Sequence, residues 1–165
     1  MTTDVEGNNA AFNNLNVGGQ PVSGGGGPQS FCAVHTASQT IQDSTVNTLN
    51  TFTTVTNTNP TVLSPNSNTG VIINQTGVYH VTATISWQSG SGSTGVRQLD
   101  LLVNGAVVNT DLNPANVGGV SGNVTRNNSS LTWSQQFNTG DVIGMQGYQN
   151  SGNANIINAS LQVWR

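Results

Sequence analysis

Few side chains in this sequence can do acid–base, nucleophilic or metal chemistry, and their spacing keeps them apart. There are six carboxylates (Asp4, Glu6, Asp43, Asp100, Asp111, Asp141), two histidines (His35, His80) and a single cysteine, Cys32. Hydrolysis or group transfer needs a nucleophile, a base and a stabilising group that converge. No two of the six acids adjoin in a motif. Cys32 and His35 lie three residues apart on one extended segment, which turns them to opposite faces and breaks up a nucleophile–base pair. His80 falls on the outward face of an alternating strand, where surface or subunit packing suits it better than ligation. Zinc requires several Cys, His or acidic ligands close together, and calcium about six to eight oxygens with several carboxylates among them. Neither set is present. The glycine run Gly24–Gly27 lacks the lysine and the strand–helix context of a phosphate loop, and Asp141 in Thr139-Gly140-Asp141 reads as a turn cap. The expectation is a chain with no catalytic residues, no cofactor and no metal: not an enzyme.

Charge is scarce as well. Charged residues make up 5% of the chain, against about 25% in ordinary soluble proteins. Lysine is absent, and Arg97, Arg126 and Arg165 are scattered. A net charge of −3 with no basic cluster excludes nucleic acid as a partner. No stretch approaches the roughly eighteen apolar residues of a membrane span, so no membrane insertion is expected. One cysteine rules out an intramolecular disulfide. The start, Met1-Thr2-Thr3-Asp4, shows neither a basic nor an apolar leader segment, so synthesis in the cytoplasm and release by lysis are expected. Asn, Thr, Ser, Gln and Gly replace the missing charge, and copies of such a chain repel one another little.

The elements that would carry these residues are strands. Tyr79, Val81, Ala83, Ile85 and Trp87 are apolar, while Val78, His80, Thr82, Thr84 and Ser86 face the other way: period two, a strand with one buried face. The strand Gln98 to Val103 enters Asn104-Gly105, a dipeptide suited to the positive φ of a two-residue hairpin turn, and Ala106 to Leu112 returns. Leu131, Trp133, Gln135 and Phe137 alternate with polar residues. Val142 to Tyr148 follows the Gly140 turn, and Ile157, Ala159, Leu161 and Val163 alternate in a last strand. No helical period is visible. The core is expected at Tyr79, Val81, Ile85, Trp87, Leu99, Leu101, Trp133, Phe137 and Leu161. Residues 1–29 read as an N-terminal arm with a glycine-rich hinge. Its Phe12, Leu15, Val17 and Val22 cannot form a core alone and are candidate contacts with a neighbour. Residues 30–165 read as one head domain.

Four segments, in order, resemble the globular heads shared by complement subcomponent q and tumour necrosis factor. They are the opening Phe31-Cys32-Ala33-Val34; the stretch Thr69-Gly70-Val71-Ile72-Ile73-Asn74-Gln75-Thr76-Gly77-Val78-Tyr79-His80-Val81; Leu99-Asp100-Leu101-Leu102-Val103-Asn104-Gly105; and Phe137-Asn138-Thr139-Gly140-Asp141-Val142-Ile143 with the closing Ala159-Ser160-Leu161-Gln162-Val163-Trp164. The resemblance covers about four fifths of the chain. Ile72 and Val81 stand where aromatic residues are common in that family, and no collagen-like stalk precedes the head. It implies an all-β, two-sheet jelly-roll sandwich of about ten strands that associates as a homotrimer.

The residues themselves fit such association. Several strands carry apolar side chains on both faces, and one set needs a partner outside the sandwich. His80, Leu102, Ile156 and Trp164 are the candidate trimer-interface residues. A trimerising head with a short arm and no leader points to a bacteriophage virion protein on the particle surface. The first expectation is a capsid cement or decoration protein, anchored by its arm to the major capsid protein. The alternatives are a fibre-tip or receptor-binding head that recognises a host surface receptor, and a bacterial spore-coat or surface adhesin head. The absence of a shaft-forming repeat favours decoration.

Overall fold

A computed structural model describes residues 16–17, 20–21, 30–66, 68–88, 96–114, 127–150, 152 and 154–165. Two short paired strands come first in the chain, β1 (Asn16–Val17) and β2 (Gln20–Pro21). Of the candidate arm contacts, Phe12, Leu15 and Val22 lie outside the described residues, while Val17 belongs to β1.

The strands that follow are β3 (Phe31–Ile41), β4 (Thr45–Thr48), β5 (Thr53–Asn57), β6 (Leu63–Asn66), β7 (Gly70–Ile73), β8 (Gly77–Gln88), β9 (Val96–Val103), β10 (Ala106–Pro114), β11 (Asn127–Phe137), β12 (Val142–Gln149) and β13 (Asn155–Trp164). All pairings are antiparallel. One sheet has five strands in the order β11-β8-β13-β3-β5. The other has six: β10-β9-β12-β7-β6, with β4 also on β12. The far flank of β12 is divided, with Val142 and Ile143 pairing β7 and Gln146 to Gln149 pairing β4.

The two sheets face each other across one core. Alternation fills it from β8 with Tyr79, Val81, Ala83, Ile85 and Trp87, and from β13 with Ile157, Ala159, Leu161 and Val163. Across from them lie Leu99, Leu101, Val71, Ile73, Ile143 and Met145. Phe137 is also fully buried and meets Tyr79 edge-on at 6.2 Å. In β3 the parity of burial changes along the strand, from Cys32 and Val34 to Ile41. A bulge explains this: β3 spends three steps between Thr36 and Gln39 where β13 spends two, and Ser38 within it has φ 57°. One extra residue turns the following side chains over, returning Ile41 to the interior.

Trp133 departs from the expected core. It faces the same side as its register partner Val81, but β11 is the edge strand of its sheet, so one flank of the ring stays open. The residue is half-buried, packed against the core margin and edge-on to Phe137 at 5.8 Å. The Asn104-Gly105 turn has φ 52° and 81°, both positive as a two-residue hairpin requires. Asp141 does more than cap its own turn. It accepts hydrogen bonds from Asn138 N (2.8 Å) and from Asn104 Nδ2 (2.8 Å), while Asn104 Oδ1 accepts from Val142 N (2.9 Å). Two turns far apart in sequence are clasped at one end of the sandwich.

Candidate functional site

The outer face of the five-stranded sheet is built of registered rows. Trp164 on β13 stands between Phe31 on β3 and His80 on β8, and His80 stands beside Ser134 on β11. The His80 and Trp164 rings stack at 5.7 Å with planes 26° apart, and His80 Nδ1 is 2.6 Å from Ser134 Oγ. The next rows are Ala33, Gln162, Thr82 and Thr132, then His35, Ser160, Thr84 and Ser130. Val78 and Ile156, 59% and 45% exposed, add apolar surface on the same side. These rows hold no carboxylate, lysine or arginine. The result is a flat face of aromatic, hydroxyl and amide groups.

Of the four residues expected at a trimer interface, this face unites His80, Ile156 and Trp164. Leu102 does not join them. Its strand pairs β10 and β12, which places it on the outer face of the opposite sheet. Phe31 and Ala33 belong to the face instead; their alternation in the opening strand was a usable signal, obscured by the bulge farther along β3.

The outer face of the six-stranded sheet carries two polar features. Asp100, 1% exposed, accepts hydrogen bonds from Gln98 Nε2 (2.7 and 2.9 Å), Thr110 Oγ1 (2.6 Å) and Gln146 Nε2 (2.8 Å). Neutral donors, not a cation, hold this carboxylate. Beside it a cavity of about 400 Å³ opens at the divided flank of β12, lined by Thr48, Asn66, Thr69, Leu102, Asn104, Gly105, Val142, Gly144 and Gln146. The Thr69 backbone packs closely over Gly144: a β-carbon there would come within 2.7 Å of the Thr69 carbonyl oxygen.

The residues with intrinsic reactivity stay dispersed. Cys32 is fully buried in the core, and burial pushes its thiol up to about 11. His35 is half-buried on the opposite face of the same strand. Among the described residues no three His, Cys, Asp or Glu side chains are grouped so as to hold a metal ion. Arg97 is buried on the core side of β9 with its guanidinium 5.8 Å from the centre of the Trp87 ring, and burial lowers its proton affinity. Arg165 closes the C-terminal end: its backbone N–H donates to Ser30 O, and its guanidinium donates to Gln75 Oε1 and lies over the Tyr79 ring.

Two antiparallel sheets with these strand orders and this common core define a tumour-necrosis-factor-like jelly roll, the class to which the fold belongs. No family model matches the chain, and no curated protein is similar to it in sequence. Solved structures similar to it include PRD1 vertex protein P5, at TM-score 0.57 and 16% identity over 83% of this chain and 98% of that one. Eiger TNF from S. frugiperda follows at TM-score 0.55 and 11% identity, over 82% of this chain and 92% of its own. The globular domain of zebrafish complement 1qA protein is similar at TM-score 0.53 and 12% identity, over 81% of this chain and 94% of its own. At such identities the likeness is one of fold.

Proposed function

We propose that this protein is a phage virion surface protein whose head self-associates as a homotrimer through the outer face of the five-stranded sheet. Residues 1–29 form the arm that attaches the trimer to the major capsid protein. The carrying observation is the uncharged face centred on Phe31, Trp164 and His80. Close to a three-fold axis a residue meets its own copies on the other two subunits, so a fixed charge there would be repelled by its own image. Aromatic rings, hydroxyls and amides pair with their own kind without that penalty, and aromatic residues suit the buried centre of an interface. The fold likeness to a protein named for a virion vertex supports the particle setting. Each of Phe12, Leu15, Val17 and Val22 would contribute roughly 1.5–3 kcal/mol if buried on a capsid neighbour, before ordering costs.

Size-exclusion chromatography with light scattering tests the assembly. The expected mass is about three times the 17.1 kDa chain, and Trp164→Glu should give monomers while Thr48→Glu, on the other sheet, leaves the trimer intact. A wild-type monomer at micromolar concentration, or a trimeric Trp164→Glu, contradicts the proposal. A chain starting at Pro28 should stay trimeric and fail to attach to capsids.

A further inference from the structure

We propose that the cavity on the outer face of the six-stranded sheet is a binding site for an uncharged saccharide. A decorating trimer needs no such site, so this goes beyond the assembly reading and rests on the six-stranded sheet alone.

Size comes first. At about 400 Å³ the cavity falls within the range of small-molecule sites, roughly 300–1,000 Å³, with room for a mono- or disaccharide. The chemistry of the walls then selects the ligand class. No lining residue is ionisable, so neither an anion nor a cation finds a counter-charge. The nearby Asp100 carboxylate is already occupied by Gln98, Thr110 and Gln146. Asn104 is likewise spent at both ends of its amide, on Asp141 and Val142 N.

What remains is a set of neutral donors and acceptors beside an apolar lining. Gln146 is fixed by its Nε2–H donation to Asp100, since a carboxylate only accepts. That bond leaves its Oε1 as an oriented acceptor. Asn66 uses its Oδ1 to accept from Asn68 N, which leaves its NH₂ as a donor. The hydroxyls of Thr48 and Thr69, which both line the cavity, make no hydrogen bond among the described residues and can do either. Leu102 and Val142 supply the apolar part of the lining. A pyranose matches this arrangement: one C–H face lies on apolar surface while its hydroxyls, each both donor and acceptor, reach the rim. A hydrocarbon ligand would leave four polar groups unsatisfied, at a cost that disfavours it.

The test uses the full-length ¹⁵N-labelled chain titrated separately with glucose, galactose, mannose and N-acetylglucosamine to roughly 50 mM, enough to detect millimolar affinity. At least one sugar should bind, with amide shifts concentrated at Asn66, Thr69, Leu102, Gly144 and Gln146. Thr48→Val and Thr69→Val keep the shape and remove one hydroxyl each, and should weaken binding about three- to tenfold apiece. Thr48→Tyr, at an exposed edge position, should fill the opening and abolish it. No binding by any of the four, shifts only elsewhere, or binding undiminished in Thr48→Tyr overturns the proposal, as does saturable binding of a charged or peptide ligand there in place of a sugar. The oligomeric mass is read in the same samples. A monomer that binds sugar refutes the trimer and leaves this site standing; a trimer that binds none does the reverse.

Discussion

Gly70→Ala should be the most damaging single-methyl change in the described part of the head. Gly70 opens β7 with φ 128°, a backbone conformation that side chains rarely adopt. A β-carbon there would run into the carbonyl oxygen of Ile143 and lie 3.0 Å from Leu161 Cδ2. The obstacle is backbone of the neighbouring strand, not the end of a flexible side chain. Relief requires β7 to retreat about an ångström from β12, exactly where only Val142 and Ile143 pair the two strands. Backbone strain costs about 1–3 kcal/mol, and each weakened ladder hydrogen bond about 0.5–1.5 kcal/mol. Loosened contacts of the fully buried Val71, Ile73 and Ile143 add to this. Together the loss is about 3–5 kcal/mol, a large share of a typical total of about 5–15 kcal/mol. Gly105→Ala is the control: φ is 81°, yet nothing lies within 4 Å of the added methyl, so only left-handed strain of about 1–2 kcal/mol applies. Urea unfolding at one fixed protein concentration, followed by tryptophan fluorescence, separates the two. With a slope near 2 kcal/mol/M, the midpoint should fall by about 2 M for Gly70→Ala and by less than about 1 M for Gly105→Ala. Equal shifts would show that β7 and β12 do not approach as closely as described.

Three further outcomes are expected. Trp87→Ala should cost about 3–5 kcal/mol, because the ring is fully buried and its Nε1–H donates to the buried Ser129 Oγ at 3.1 Å; Trp133→Ala should cost clearly less, and equal costs by urea unfolding would place β11 inside the sheet. Cys32 should resist alkylation in the folded protein at pH 8 and react on unfolding; since its thiol titrates near 11 when folded against 9.0 ordinarily, the unfolded chain releases its proton first as pH rises, so the thiol's contribution to stability should be constant below about pH 9 and decline from there to 11, a decline that Cys32→Ala should remove. Asp141→Ala should lower the melting temperature by several degrees, about 1–3 kcal/mol for orphaning Asn138 N and Asn104 Nδ2; an unchanged melting temperature would mean the clasp between the two turns contributes nothing.

What the sequence disclosed depended on length and alternation. β8 and β13 are long and alternate cleanly, so their core faces were legible residue by residue, and Asn104-Gly105 marked its hairpin through backbone preference alone. β4, β5 and β6 gave no signal: four or five residues each, mostly polar, with Thr45–Thr48 and Thr53–Asn57 largely exposed. Periodicity also tells which face a side chain occupies but not which sheet its strand joins. Leu102 and Trp164 both read as outward-facing, and only the pairing of β9 with β12 separates them. The cavity was invisible for a related reason. Thr48, Asn66, Thr69 and Gln146 come from distant segments and are of the commonest residue types in this chain, so no spacing draws them together before the sheet does.

The uncharged outer face of the five-stranded sheet has a consequence for the medium. Dissolved ions weaken attraction between fixed charges over distances of about 8–10 Å at ordinary ionic strength, and the registered rows offer them nothing to screen. The proposed trimer contact through Phe31, Trp164 and His80 should therefore not weaken from fresh water to brine. Dilution, rather than salinity, would set the conditions under which it comes apart.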